Sequence, residues 1–358
     1  MMNQVLSRFC LAGSVISAER YGNGHINETY LVNTDAPHAY ILQKINRHIF
    51  GDVPALMKNI VLVTEYLRKK EKDPRRVLTL VPAKTGEAFI RDENGDFWRV
   101  YEFVTDSLCL DRPENENDLR QSGLAFGSFQ NQLASFPAHT LTEIIPGFHD
   151  TPFRFEQLHQ AIAENRAGRV GEAQREIDLY LEREKDAGFL MDLLKRGELP
   201  LRVTHNDTKL NNVMLDKKSR APLCVIDLDT VMPGLAANDF GDSIRFGAAT
   251  APEDEKDLKK VGMSLKLFTA YTEGFLSACG SRLTSLEKET LPMGALLMTL
   301  ECGVRFLADY LNGDTYFRTA RPGQNLQRAR THIQMVSDME KKQGDMLRIV
   351  QAAALNSP

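Results

Sequence analysis

The sequence predicts an α+β chain of two lobes, a small one built on an antiparallel sheet and a larger one that is mainly helical. Three observations predict it. Strand-like segments with turn-rich connections fill the first hundred residues; helical periodicity takes over from about Leu119; and a short β-rich interlude, Leu201 to Asp229, interrupts the helices. The 358 residues, 42% of them apolar, suffice for two joined cores. The expected boundary divides residues 1–104 from residues 105–358.

In the first lobe, Thr29-Tyr30-Leu31-Val32 and Ala39-Tyr40-Ile41-Leu42-Gln43 flank a turn-rich Asn33 to His38 and read as a hairpin. A helix is expected from about Val53 to Lys70, where Leu56, Ile60, Val63 and Leu67 recur at three- and four-residue steps. Further strands are expected at Arg76 to Val81 and Phe97 to Phe103, with a turn at Asp92 to Asp96. In the second lobe, Leu124, Phe129 and Leu133 mark one helix, and amphipathic segments run from about Phe153 to Arg196. Phe148-His149-Asp150-Thr151-Pro152-Phe153 reads as a helix-start turn, with lining of the site as the alternative. Helical periodicity returns from about Glu255 to the C-terminus.

Composition excludes several functions. Lys and Arg number 44 against 48 Asp and Glu, a net charge of −4, and the basic runs are short with acidic neighbours, so no nucleic-acid surface is expected. Five cysteines without a C-x-x-C pair argue against a disulfide framework or a thiolate zinc site, and for a reducing compartment. The N-terminus lacks the basic start and apolar run of a signal peptide. Met293 to Leu311 is interrupted by Glu301, Arg305 and Asp309 and reads as a core helix, not a membrane span. A cytoplasmic protein with no membrane contact and no obligate protein partner is expected.

The β-rich interlude carries the chemistry. Val203-Thr204-His205-Asn206-Asp207-Thr208-Lys209-Leu210-Asn211-Asn212-Val213-Met214-Leu215 is followed by a turn and by Leu223-Cys224-Val225-Ile226-Asp227. Phosphoryl transfer asks a protein mainly for positioning and charge neutralisation. Asp207 can orient the attacking hydroxyl and accept its proton. Asn212 and Asp227 supply hard oxygen ligands for Mg2+. The H-x-D-x-x-x-x-N spacing, with a later strand ending in Asp, matches the catalytic and metal-binding loops of the protein-kinase-like fold. His205 reads as a brace for this loop.

The nucleotide side is looser. Gly22, Asn23, Gly24 and Asn27 form a glycine-containing loop that fits over the phosphates of ATP, with Asn27 where a third glycine would fall. Gln43 takes the place of the lysine that ends V-A-I-K, and Lys44 should point to the opposite face. Glu102 and Val104 are expected in the segment joining the lobes, where backbone groups could pair with adenine.

The chain resembles the N-acetylhexosamine 1-kinases of the aminoglycoside-phosphotransferase-like branch over nearly its whole length. The resemblance rests on Gly22 to Asn27, Thr204 to Asn212, Ile226-Asp227-Leu228-Asp229-Thr230, Asp239-Phe240-Gly241-Asp242-Ser243-Ile244-Arg245-Phe246-Gly247 and Arg305-Phe306-Leu307-Ala308-Asp309-Tyr310. It implies transfer of the ATP γ-phosphate to the anomeric hydroxyl of N-acetylglucosamine or N-acetylgalactosamine. It also implies Asp207 as catalytic base and Asn212 and Asp227 as metal ligands. His25, Asp229, Arg245 and Arg305 are the polar residues expected at the sugar. Two other readings stand beside it: a kinase of another acceptor (aminoglycoside, choline or homoserine), and a nucleotide-binding scaffold without catalysis, for which Gln43 is the main support.

Overall fold

The computed structural model describes residues 2–22 and 26–357; Asn23, Gly24 and His25, expected at the phosphates and the sugar, lie outside the described residues. In chain order the first elements are α1 (Met2–Leu6), β1 (Val15–Arg20), β2 (Glu28–Thr34), β3 (Ala39–Ile45), α2 (Val53–Arg68), β4 (Leu80–Val81), β5 (Ile90–Arg91), β6 (Phe97–Glu102) and β7 (Ser107–Leu108). Helices α3 (Glu116–Leu133), α4 (Thr151–Glu164), α5 (Gln174–Leu181), α6 (Glu184–Ala187) and α7 (Phe189–Lys195) follow. After β8 (Arg202–Thr204), β9 (Val213–Asp216) and β10 (Pro222–Val225) come α8 (Ala236–Gly247), α9 (Leu265–Cys279), α10 (Ser285–Leu311) and α11 (Gln324–Leu355).

The chain divides into two compact units, and the division is not a single cut. One comprises Met1–Cys109, Ser135–Pro146 and Val213–Pro233; the other comprises Leu110–Ala134, Gly147–Asn212 and Gly234–Pro358. The boundary expected at 104/105 therefore misses two returns of the chain to the first unit. The reason is backbone pairing: β9 is hydrogen-bonded to β7 on one side and β10 on the other, which ties residues 213–225 to the N-terminal sequence. Asn59 of α2 adds to this, donating from Nδ2 to the carbonyls of Thr142 and Val231 (2.8 and 2.9 Å).

The first unit is built on an antiparallel sheet ordered β1-β2-β3-β6-β4, with β5 also on β6. Strand alternation decides its faces. Val32, Leu42, Trp98 and Val100 turn to one side and bury with Val5, Leu6 and Phe9. Thr29, Gln43 and Arg99, successive partners in register, share the other side. Helix α2 forms where its apolar period predicts; Asp52 caps it by accepting from Ala55 N (2.9 Å), and Pro54 enters its first turn. The strand expected at Arg76 to Val81 shrinks to two residues, because Asp73 caps a short 3-10 turn over Pro74–Arg76.

The second unit is helical. Helix α10 is long and apolar enough to cross a membrane, yet 83% of its most apolar window is buried within the protein, packed against α4, α8 and α11. It is a core helix. A capping box, Thr284 with Glu287, starts it. Its Gly294 lies so close to α8 that a Cβ there would overlap the Ala237 carbonyl. That close approach sets the depth of α8, the helix behind the loop described next.

Candidate active site

In the second unit the chain leaves β8 into His205–Asn212. Lys209 Nζ stands 2.7 Å from Asp207 Oδ1, and Asn212 Nδ2 donates to Asp207 Oδ2 (3.1 Å) and to its carbonyl (2.8 Å). Asp207 and Asn212 are thus brought together as expected. The Asn212 amide nitrogen is committed to Asp207, so the amide oxygen is the atom of that side chain that could serve a hard cation. Burial pushes the Asp207 carboxyl up, but the Lys209 ammonium beside it, with help from His205 and Arg245, outweighs burial and holds it below the ordinary carboxylate range. Lys209 is correspondingly raised, chiefly by Asp207.

The loop is held from behind by Asp239 of α8. Its carboxylate accepts from His205 N (2.9 Å), Asn206 N (2.7 Å) and Gln130 Nε2 (2.8 Å), while its carbonyl accepts from Thr208 Oγ1 (2.5 Å). Ser243 Oγ donates to the Thr208 carbonyl (2.7 Å). Asn206 sits in the left-handed region at φ 63, a conformation costly for a residue with a Cβ and sustained here by these bonds. His205 is fully buried, edge-on to the rings of Phe126 and Phe129, which suits a brace.

His149 braces the same loop from the other side. Its Nε2 donates to the Asn206 carbonyl (3.0 Å), and its Nδ1 lies 3.0 Å from Glu301 Oε1; Glu301 Oε2 accepts from Thr151 (2.9 Å). Nε2 can only donate to the Asn206 carbonyl, and an ionised Glu301 makes Nδ1 a second donor, a pairing that favours the doubly protonated ring. Burial lowers its pKa, but the Glu301 carboxylate and the Asn206 carbonyl outweigh burial and raise it above the ordinary value near 6.5. A raised folded pKa means that this pair's stabilisation is complete below pH 6.5 and is lost as pH rises through the folded value. Thermal melts from pH 6 to 9 should therefore show the wild type losing stability that His149→Gln never had, and parallel curves would refute the protonated brace.

Two second-unit residues expected at the sugar part company. Arg245 is buried with Nε and Nη2 on Asp242 Oδ1 (2.9 and 2.8 Å) and Nη1 on Glu253 Oε1 (3.2 Å), so its charge is consumed internally. Arg305 is different. Its guanidinium lies 5.4, 5.7 and 5.4 Å from the ring centroids of Phe148, Tyr316 and Phe317, and among the described residues no carboxylate pairs with it. Arg154 is depressed by burial and then by the neighbouring Arg305 charge. Tyr316 is 59% exposed, so this aromatic and cationic cluster reaches solvent.

The first unit holds the other expected residues. Asp227 lies two residues beyond β10 in the left-handed region (φ 59), at the start of a 3-10 turn over Leu228–Thr230. Asp229 on that turn is buried and ion-paired with Arg99 Nη1 (2.5 Å), while Asn27 Nδ2 donates to its other oxygen (2.6 Å). Gln43 Oε1 accepts from Arg99 Nε (2.9 Å), and Gln43 Nε2 donates to Thr29 Oγ1 (3.1 Å). Asp229, Asn27 and Gln43 therefore all belong to one internal network. Lys44 points to the opposite face, as alternation requires, and pairs with Asp96 (2.5 Å). Gly22 adopts φ 75. Glu102 N donates to the Thr79 carbonyl (2.9 Å), and the Val104 carbonyl accepts from Ser107 Oγ (2.7 Å).

Sequence reasoning did not single out Arg99, Lys209 or Asp239 as parts of the site, and it placed His149 only in a segment that could line it. Asp239 stood inside a run already noted, and Lys209 two residues after Asp207. Arg99, in the middle of an apolar strand, was a signal of burial with a partner.

Comparison with known proteins gives the family and the fold. Residues 17–260, more than half of the chain, match the model of the phosphotransferase enzyme family, APH. Among solved structures, a microcompartment-associated aminopropanol kinase is similar at TM-score 0.59 and 16% identity, over 97% of this chain and 98% of that one. The amicoumacin kinase hAmiN, in complex with AMP-PNP, Ca2+ and Ami, gives 0.61 and 14%, over 93% and 92%. A choline kinase from Cryptosporidium parvum Iowa II gives 0.54 and 14%, over 95% and 92%. These likenesses establish a kinase-like fold, with an antiparallel sheet toward the N-terminus and a helical C-terminal part, and the matched model establishes that the chain belongs to the phosphotransferase enzyme family.

Proposed function

We propose that the protein transfers the γ-phosphate of ATP to the anomeric hydroxyl of N-acetylglucosamine or N-acetylgalactosamine, giving the sugar 1-phosphate. The observation that carries the phosphotransfer part is the Asp207–Lys209–Asn212 cluster on a loop fixed by Asp239 and His149. Asp207 orients the acceptor hydroxyl through its carboxylate. The hydroxyl oxygen attacks the γ-phosphorus, the bond to the bridging oxygen breaks, ADP departs, and the hydroxyl proton passes to Asp207. A carboxylate held below its ordinary pKa is a weak base, so it takes that proton late, when the oxygen is already bonding to phosphorus. Each unit offers an oxygen ligand that would serve Mg2+, Asn212 in the second and, by the resemblance, Asp227 in the first; the ion's chemistry is to neutralise charge on the phosphate oxygens.

Support for a sugar comes from the resemblance of runs such as Ile226 to Thr230 and Asp239 to Gly247 to the N-acetylhexosamine 1-kinases, and from Arg305. A guanidinium among three rings, partly open to water, offers forked donors for hydroxyl or acetamido oxygens and flat surfaces for a pyranose ring. The two neighbouring guanidiniums of Arg154 and Arg305 disfavour a cationic acceptor of aminoglycoside or choline type. Arg245 and Asp229 are not retained at the sugar, because each is consumed by internal ion pairs. The free cysteines suit a cytoplasmic setting.

Magnesium-dependent ADP release should appear on adding either N-acetylhexosamine, with a sugar 1-phosphate as product by phosphorus NMR. It should be at least about a hundredfold weaker with choline, homoserine or kanamycin. Absence of turnover with every hexosamine, or turnover with one of the three competitors, would end the sugar reading and leave the phosphotransferase family standing.

A further inference from the structure

At the lysine position of the kinase fold this chain has Gln43, and the first unit shows what the side chain does instead. Its carbonyl oxygen accepts from Arg99 Nε (2.9 Å) and its amide nitrogen donates to Thr29 Oγ1 (3.1 Å). Both ends of the amide are used. Arg99, 1% exposed, is directly opposite Gln43 in the β3–β6 ladder and spends Nη1 on Asp229 Oδ1 (2.5 Å) and Met57 Sδ (3.8 Å). Asp229 Oδ2 accepts from Asn27 Nδ2 (2.6 Å), and Asn27 Oδ1 accepts from Asn46 N (3.0 Å). The chain of contacts thus runs from β2 and β3 through Arg99 to the turn after β10, and back to the end of the glycine-containing loop.

We infer that Gln43 is not a substitute ligand for nucleotide phosphate but the seat of Arg99, and that Arg99 is a positioning residue for the turn carrying Asp227. A fully buried guanidinium is costly unless its charge and donors are met; here Asp229, two residues from Asp227, meets the charge, while Gln43 and Met57 take the Nε and Nη1 donors. Asp227 holds a left-handed backbone that a free turn would abandon. The buried pair fixes the residue on one side of the turn, and with it the direction of the Asp227 carboxylate. A lysine at position 43 would place an ammonium against Arg99, which explains why the glutamine is needed. The nucleotide side is thereby rewired and not lost, which removes the main support for a scaffold without catalysis.

The inference rests on the phosphotransfer reading but not on the sugar, so the test uses no acceptor. Binding of a non-hydrolysable ATP analogue to the full chain is measured by calorimetry across magnesium concentrations, with melting curves for each variant. Gln43→Lys should weaken magnesium-dependent binding by about tenfold or more, Gln43→Glu should stay within about threefold of wild type, and Gln43→Lys with Arg99→Met should recover none of the loss, because the turn then lacks Arg99. Arg99→Lys should raise the magnesium concentration for half-saturation by about tenfold while leaving metal-free binding within about twofold, a split that a loss of folded protein would not produce. Tighter binding by Gln43→Lys, or loss of binding by Gln43→Glu, would make Gln43 a phosphate ligand and overturn the inference. Wild-type protein that binds no analogue with magnesium would overturn the phosphotransfer reading itself.

Discussion

Asp207→Asn lowers turnover by about a thousandfold with little change in melting temperature. The substitution keeps the shape of the side chain and an oxygen that can still orient a hydroxyl, but removes the group that receives the proton, a loss generally worth about 10²–10⁴ in rate. It also removes the anion beside Lys209. That ammonium is 35% exposed, so it can turn to water, and the stability effect is small. Because the Asp207 carboxyl is held below the ordinary carboxylate range, it stays ionised down through that range. The acid limb of the kcat/KM profile should accordingly begin below the pH at which an ordinary Asp protonates. Steady-state kinetics with an acceptor found by the screen above, together with melting curves, provide the check. Turnover within about tenfold of wild type would remove Asp207 from the chemistry.

The parts of this site that sequence could reveal are those whose neighbours in space are neighbours in the chain. The spacing of Asp207 and Asn212 within one loop was enough, because a side chain five residues on can fold back to it. Helix α2 and the β2–β3 hairpin announced themselves through period and turn chemistry. Strand β1 did not: Val15 to Arg20 mixes polar and apolar residues, sits at the sheet edge, and slips register between Val15 and Ser17. The returns of residues 135–146 and 213–233 to the first unit were equally hidden, since pairing of β9 with β7 joins segments about a hundred residues apart and leaves no periodic mark. Gln43 looked like a defect on the nucleotide side because its partner, Arg99, is 56 residues away. Arg245 and Arg305 are both arginines on helices of one unit, and only the structure separates them, one sealed against Asp242 and Glu253, the other held among rings with no counterion among the described residues.

Asp239→Asn should cost about as much activity as a direct hit on the site, without touching any reacting group. Its two oxygens accept from three N–H donors, and an amide supplies only one acceptor oxygen. If that oxygen stays on the side of His205 N and Gln130, the Asn206 N–H faces an NH2 group; if it turns, the other two do. Either way a buried donor loses its acceptor, at a cost of about 1–3 kcal/mol. Burial raises the Asp239 carboxyl pKa, so the charge is itself held at some expense, and its removal returns part of that cost. The geometry does not recover. Asn206 at φ 63 is kept there by the bond from its own N–H, and the peptide that relaxes leads directly into Asp207. Displacement of a catalytic group by about 1 Å is enough for about a hundredfold loss in rate. Expected, then, is a fall of about a hundredfold in kcat, a modest change in acceptor KM, and a melting temperature lower by several degrees. Asp207→Asn should lose more rate with no such shift in melting. Opposite rankings of the two variants in melting temperature, or an Asp239→Asn enzyme with near wild-type kcat, would mean that the loop holds its shape without α8.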